Sequence, residues 1–96
     1  MSFDSFTASL DDRDPPALSS HGEALWWALR GEWERAHEIV QDLPDRDAAW
    51  IHACLHREEG DLGNARYWYH QAGRPEASGS TREELLSIAK ELLGRD

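Results

Sequence analysis

The sequence contains little of what a disulfide-stabilised, secreted or membrane-spanning protein needs. Cys54 is the only cysteine among 96 residues, which excludes an intramolecular disulfide and fits a reducing compartment. The opening segment, MSFDSFTASLDDRD, has neither a basic start nor a continuous apolar stretch, so it does not resemble a secretory signal. The longest strongly apolar run, Ala24–Leu29, is far too short to cross a bilayer. We therefore expect a cytoplasmic protein.

Lysine is also scarce, and the charge is of one dominant sign. Lys90 is the only lysine, and 19 acidic residues against 10 basic ones give a formal charge of −9. No basic cluster occurs anywhere in the chain, whereas phosphate backbones and anionic lipids are bound by concentrated positive charge. We expect no nucleic-acid partner and no membrane partner, while a protein or peptide with basic groups would be attracted.

The motifs of common enzyme classes are missing as well. The stretch Gly60–Gly63 is not followed by the Gly-Lys-Ser/Thr of a phosphate-binding loop, and no nucleophile elbow is present. Adjacent carboxylates such as Glu58 and Glu59 diverge on a helix and do not form an acid–base pair. We expect a protein that is not an enzyme, with no catalytic residues and no cofactor.

Alternation of apolar and polar residues, the pattern of a half-buried strand, is absent, and the pattern from Ser20 onward is helical. Capping residues and breaking glycines set the expected ends, and Ser80 with Glu83 has the form of a capping box. The sequence therefore predicts an all-α fold. The predicted helices are Ser20–Arg30, Glu32–Leu43, a third from Asp45 or Asp47 to Glu59, Asp61–Ala72 and Thr81–Leu93.

Residues 1–19 differ from the rest in composition. They are acidic, rich in serine and aspartate, and interrupted by Pro15-Pro16, which forbids a regular helix at that point. We expect a mostly irregular N-terminal arm, followed by a helical domain of residues 20–96. Phe3, Phe6 and Leu10 could fix the arm to the body or form a short helical turn.

The second and fourth predicted helices repeat one another. Gly31 and Gly60 are 29 positions apart, and at that offset Ala36 aligns with Ala65. The apolar residues follow the spacing of one helix face. This predicts that Trp68 and Tyr69 lie in the core and that Tyr67 does not. The full inward stripe of the fourth helix would be Leu62, Ala65, Trp68, Tyr69 and Ala72.

The pattern Gly60-Asp61, Ala65, Trp68-Tyr69, Ala72 resembles the second half of a tetratricopeptide-type repeat, especially its Sel-like variant, and is similar to that of small bacterial proteins of this kind. The resemblance covers residues 22–43 and 48–73. It implies antiparallel helical hairpin repeats in an α-solenoid, ended by a C-terminal capping helix. The inward side chains of that capping helix would be Leu85, Leu86, Ala89, Leu92 and Leu93.

The resemblance further implies that the first helix of each unit lines a concave surface that binds a protein or peptide. At the offset of 29, two polar helix faces come side by side around Trp27. We call this surface the recognition groove. These faces could instead be simply solvated, or Trp27 could pack beneath the arm, and a homodimer that buries Trp27 or Tyr67 stays open. The six residues of the groove are Glu23, Trp27, Arg30, His52, His56 and Glu59.

An alternative function is the binding of a metal or small ligand by His52, His56 and Glu59. Imidazoles at i and i+4 lie on one helix face and can share an ion. The glutamate that follows the first histidine in zinc hydrolases is absent, since Ala53 stands there. His37 and His70 lie near the edge of the inward stripe, where we expect structural histidines. Cys54 is expected to be a small buried apolar side chain.

Overall fold

The computed structural model describes residues 1–95, and every regular element within them is an α-helix. The prediction of an all-α fold is confirmed, because no strand occurs in this part of the chain. None of these helices combines the length and the apolar character needed to cross a membrane. The helices are α1 (Phe3–Ser9), α2 (Ser20–Leu29), α3 (Trp33–Gln41), α4 (Arg46–Glu58), α5 (Leu62–Ala72) and α6 (Thr81–Leu93).

The helix ends follow local chemistry. The side chain of Asp45 accepts a hydrogen bond from the backbone N–H of Ala48, and Asp61 does the same for Asn64. These caps satisfy N–H groups that have no partner within the helix. Gly60, at φ +83°, adopts a backbone conformation that side chains disfavour, and it ends α4. The ends of the five predicted helices consequently lie within two residues of the observed ones.

The N-terminal region is more ordered than its composition indicates. Its first part forms α1, which packs against α6, and Phe6 is fully buried in the main core. The indole Nε1 of Trp26 donates to Ser9 Oγ at 3.1 Å, and Arg30 donates to the carbonyl oxygens of Leu10 and Asp12. The start of residues 1–19 therefore forms a short helix and is also fixed to the body, so both alternatives hold there. That segment is joined to the body through Phe6 and Trp26.

The other helices pack mostly in consecutive pairs, α2 against α3 and α4 against α5. The last helix, α6, contacts both α2 and α4, so that side of the two helices is covered. Its buried side chains include Leu85, Ile88 and Ala89, whereas Leu86 is only half-buried. The expected inward set thus omitted Ile88, which lies three residues after Leu85 on the same helix face.

The inward stripe of α5 is mostly as predicted, with one error. Ala65, Tyr69 and Ala72 are buried, and Trp68 is half-buried. Leu62 was expected inside, but it is 58% exposed. It is the first residue of α5, at the turn of the α4–α5 hairpin, where α4 has already ended at Glu58. Tyr67 is 54% exposed, as the prediction that it lies outside the core requires.

A buried carboxylate joins α4, α5 and α6. The Tyr69 hydroxyl is 2.7 and 2.8 Å from the two oxygens of Glu84, and Arg57 Nη2 is 3.0 Å from Oε1. Trp50 Nε1 donates to Oε2 at 3.3 Å. Burial and the bond to Glu84 raise the pKa of the Tyr69 hydroxyl, which is thus a neutral donor. We call these four residues the Glu84 network; a buried charge of this kind is tolerated because its oxygens are satisfied.

Candidate functional site

Three histidines converge where α3 crosses α4. His52 and His56 are four residues apart on α4, so they share one face of that helix, and their rings stack with centroids 4.8 Å apart. His37 reaches them from α3, and its Nε2 lies 3.0 Å from Nε2 of His52. One potential ligand nitrogen from each ring lies within 4.8 Å of the other two. We call His37, His52 and His56 the histidine cluster.

Two indoles hold the rings of the cluster in place. Trp33 precedes His37 by one helical turn and stacks on its ring, with centroids 4.7 Å apart and planes at 10°. The Trp33 Nε1 atom donates to the Leu55 carbonyl at 2.8 Å and so fixes α3 against α4. On the other side, Trp68 of α5 stacks on His52 at 4.0 Å. Three helices therefore determine the positions of the imidazoles.

Burial keeps two members of the cluster, His37 and His52, uncharged. The exposed fractions of His52 and His56 are 5% and 8%, whereas His37 is half-buried. Burial, followed by the proximity of His37 and His56, lowers the pKa of His52 from 6.5 to about 4. Burial and His56 also lower the pKa of His37. His37 and His52 are consequently neutral near pH 7. In each neutral ring, one nitrogen carries a hydrogen and the other has a free lone pair.

Glu59 orients the third ring. Its Oε1 lies 2.6 Å from Nδ1 of His56, so that the imidazole donates its Nδ1 hydrogen to the carboxylate. This arrangement leaves Nε2 of His56 as the nitrogen with the free lone pair. Asp61 lies near the same side of His56, and these three residues form a second, more exposed group of ligand atoms. Glu59 is thus a partner of one ligand rather than a member of the histidine cluster.

The six residues expected in the recognition groove do not form one surface. Glu23 accepts from the Trp27 indole at 3.4 Å, and the Arg35 guanidinium lies over the Trp27 ring at 4.3 Å. Arg30 is occupied by the N-terminal segment and by the Trp26 ring. His52 and His56 are buried against α3 and α5, because Trp33, His37 and Trp68 cover that face of α4. The expectation that these two histidines face solvent is therefore wrong.

Trp27 itself is half-buried, and the indole that the N-terminal segment covers is its neighbour Trp26, which is fully buried. Edge-on contact at 4.9 Å joins the two rings. The proposal that Trp27 packs beneath the arm applies to Trp26 instead, since adjacent residues on a helix point about 100° apart.

His37 is the member of the cluster that was not predicted from the sequence. It was assigned a structural role because it lies near the edge of the apolar stripe of its helix. That edge of α3 faces α4, so a side chain at this position lies at the boundary between the two helices. The available signal was the pair Trp33 and His37, spaced four residues apart as His52 and His56 are.

Cys54 lies on a different side of α4 from the cluster. It is fully buried, and burial, followed by the nearby Glu84 carboxylate, raises the pKa of its thiol. The thiol is therefore protonated, as expected of a small apolar core residue, and it is not a member of the cluster.

Comparison of the chain with known proteins gives no match to a family model, to a curated protein or to a solved structure.

Proposed function

We propose that the protein binds a divalent first-row transition-metal ion, with zinc as the first candidate, through His37, His52 and His56. The convergence of three imidazole nitrogens within 4.8 Å of one another carries this proposal. Imidazole nitrogen is a preferred ligand of Zn²⁺, Cu²⁺, Ni²⁺ and Co²⁺, and it must be neutral to bind them. The low pKa values of His37 and His52 meet that requirement at neutral pH.

The spacing of the first two ligands supports the proposal. Two nitrogens bound to one tetrahedral Zn²⁺ at about 2.0–2.1 Å are separated by roughly 3.3 Å. Nε2 of His37 and Nε2 of His52 are 3.0 Å apart. In the metal-free protein, one of these nitrogens donates a hydrogen to the other. An ion would replace that shared hydrogen after a movement of a few tenths of an ångström, and His56 would turn its Nε2 toward it.

The proposed ligand set differs from the one that the sequence offered as an alternative to partner binding, which was His52, His56 and Glu59. His52 and His56 are retained, His37 replaces Glu59, and Glu59 acts on His56 from outside. A carboxylate that accepts the second N–H of a ligand histidine fixes the tautomer and raises the basicity of the ligand. The Glu59–His56 distance of 2.6 Å is suited to that role.

The proposal is tested by titrating chelator-treated protein with Zn²⁺ in competition with a chromophoric chelator. We expect one tightly bound ion per chain and a higher melting temperature, since a ligand that prefers the folded state stabilises it. His37→Ala removes a half-exposed ligand with little damage to the core. It should weaken binding by more than the roughly 10–100-fold typical of losing an outer-shell partner.

His70→Ala is the matched control for this experiment. His70 lies on the exposed side of α5 and belongs to no group of converging ligand atoms among residues 1–95. The His70→Ala variant should bind zinc as the wild type does. Equal affinities of the wild type and His37→Ala, with zinc bound to both, would show that binding occurs at scattered surface groups and would overturn the proposal.

We propose as a second candidate function that the chain binds a protein or peptide partner through exposed apolar side chains of α5. Leu62 and Tyr67 are both large apolar side chains and are 58% and 54% exposed. The Tyr67 ring is braced edge-on against Trp68 at 5.0 Å, which lowers the entropy lost on binding. The net charge of −9 favours a partner with basic groups.

This second function is tested with the double variant Leu62→Ser/Tyr67→Ala. Affinity capture should lose specific basic partners when both side chains are removed, and sedimentation would show whether the partner is a second copy of the chain. Identical captured proteins and identical sedimentation for the wild type and the double variant would contradict it.

The proposed architecture is two tetratricopeptide-type hairpins, α2–α3 and α4–α5, with α6 as the terminal helix. Ala36 and Ala65, equivalent at the offset of 29, are both buried, and Gly31 and Gly60 have φ of +80° and +83°. Superposition of residues 20–43 on residues 49–72 in an experimental structure tests the repeat. Hairpins that differ in crossing angle by more than the usual 15–20° scatter would speak against it.

A further inference from the structure

The histidine cluster provides three ligands for an ion that ordinarily takes at least four. Within residues 1–95, no other histidine, cysteine, aspartate or glutamate has a ligand atom within 4.8 Å of all three histidine nitrogens. Structural zinc sites have four protein ligands, whereas sites that bind an external molecule have three and leave one position to it. The ligand count of the cluster is that of the second kind.

We infer that the ion held by His37, His52 and His56 keeps an exchangeable coordination position, taken by water and open to a small monodentate donor such as azide. This inference rests on the proposed metal-binding function. It adds to that function a second binding site, located on the ion, whose ligands are small molecules with a single donor atom.

Two carboxylates that lie close to His56 have other roles. Glu59 accepts the Nδ1 hydrogen of His56, and its withdrawal would leave that nitrogen without its partner. Asp61 caps α5: one oxygen accepts the Asn64 backbone N–H at 3.2 Å, and the other accepts the Asn64 side-chain amide at 2.8 Å. Moving either carboxylate onto the ion would break an existing hydrogen bond. A water molecule or small donor can fill the position without that cost.

Access to the ion lies on the side of His37. His52 and His56 are buried, and Trp68 covers the face of the His52 ring. His37 is the half-exposed member, and Trp33 covers a face of its ring while leaving the Nε2 edge directed at His52. An external donor would therefore approach past the edge of His37, between two fixed indoles.

The chemical consequence is that the ion can act as a Lewis acid on whatever it holds. An ion with neutral nitrogen ligands retains its full double charge, which polarises a bound oxygen or nitrogen donor. The carboxylate of Glu59 lies near this charge and adds to the basicity of His56. These features distinguish an ion with an open position from one that only joins α3 to α4.

The test uses the full chain loaded with Co²⁺ in place of Zn²⁺, because cobalt reports its coordination in the visible spectrum. Addition of azide should change the cobalt bands in a saturable way with one azide per ion. The same titration is carried out on Glu59→Gln, in which the amide can still accept from His56 but is a far weaker metal ligand. The variant should also respond to azide.

Each other outcome is decisive. A wild-type spectrum that does not respond to azide, with a response in Glu59→Gln, would show that Glu59 is the fourth ligand and would overturn the inference. No response in either protein, with cobalt-dependent dimers in sedimentation, would assign the position to a second copy and also overturn it. If neither protein responds to azide and no dimers form, the coordination position is closed and the inference is likewise overturned. Absence of any cobalt spectrum would instead remove the proposed metal-binding function, and this inference with it.

Discussion

Trp68 lies flat on His52, with ring centroids 4.0 Å apart and ring planes inclined at 15°. The stack joins α5 to the histidine cluster and shields His52 from water. We expect Trp68→Ala to lower the free energy of unfolding, by less than the roughly 3–5 kcal/mol that a fully buried tryptophan contributes, because Trp68 is not fully buried. Chemical denaturation measures this change. The adjacent Tyr67→Ala, at a 54% exposed position, should change stability by no more than about 0.5 kcal/mol, and equal losses for the two variants would contradict the assignment.

The low pKa of His52 predicts that the metal-free protein loses stability in mild acid. The folded state binds a proton at His52 with a pKa of about 4, while the unfolded chain does so near 6.5. Between these values the unfolded state binds more protons, so the free energy of unfolding falls as the pH is lowered from 6.5. The full effect is about 3 kcal/mol.

The measurement is denaturation at several pH values between 7 and 5 in the presence of a chelator. The pKa of the neighbouring His37 is lowered as well, so the variant His52→Gln is needed to isolate the contribution of His52. The slope of stability against pH should be shallower in this variant. Parallel slopes in the wild type and His52→Gln would show that folding does not lower the pKa of His52.

Features that depend on neighbouring residues were predictable from the sequence. Caps such as Asp61 and turn glycines such as Gly60 act within one helical turn, and they place the helix ends to within two residues. The helical spacing of the apolar residues likewise identified Tyr69 as core and Tyr67 as exposed. These features need no knowledge of how the helices cross.

Features that depend on the crossing of helices were not predictable. His37 and His52 meet only because α3 packs on α4 in one particular orientation, and their apolar patterns do not specify it. Glu84 has the sequence context of an exposed residue in the first turn of a helix, yet it is buried because Arg57, Tyr69 and Trp50 all bind it. A buried carboxylate is recognised only through its partners.

The Glu84 network predicts a large loss of stability on removal of its carboxylate. The side chains of Arg57 and Glu84 are 14% and 6% exposed, so Glu84→Ala leaves a nearly buried guanidinium without its partner. Such losses amount to about 3–5 kcal/mol. Glu83→Ala, one residue earlier and exposed, should change the unfolding free energy by less than about 0.5 kcal/mol. A Glu84→Ala protein as stable as Glu83→Ala would show that the network contributes nothing.

The role of Glu59 predicts an effect on metal affinity. Glu59→Ala removes the acceptor of the His56 Nδ1 hydrogen, and zinc affinity should fall by about 10–100-fold. Because Glu59→Ala also leaves Nδ1 of the buried His56 without its acceptor, the metal-free protein should lose about 1 kcal/mol of stability, whereas Glu59→Gln, whose amide oxygen can still accept, should lose less. Glu58→Ala is the matched control, since its carboxylate binds Thr81 and not the cluster. Equal zinc affinities for the two variants would show that Glu59 does not orient His56.

The burial of Phe6 predicts that the N-terminal segment is part of the folded domain rather than a detachable arm. Phe6 is fully buried in the main core, whereas Phe3, on the same helix, is half-buried. Phe6→Ala should cost about 3–5 kcal/mol and Phe3→Ala clearly less, because the cavity left behind grows with burial. Thermal or urea denaturation measures both losses. Because both residues lie on α1, a larger loss for Phe6→Ala than for Phe3→Ala would show that the segment is packed in solution. If Phe6→Ala melted with the wild type, then α1 would be detached in solution, and Trp26 would lose the Ser9 hydroxyl to which its indole donates at 3.1 Å. The Trp26 ring would then be exposed to water, which the tryptophan fluorescence of the protein would report. The predicted boundary between an arm of residues 1–19 and the domain after it would be retained.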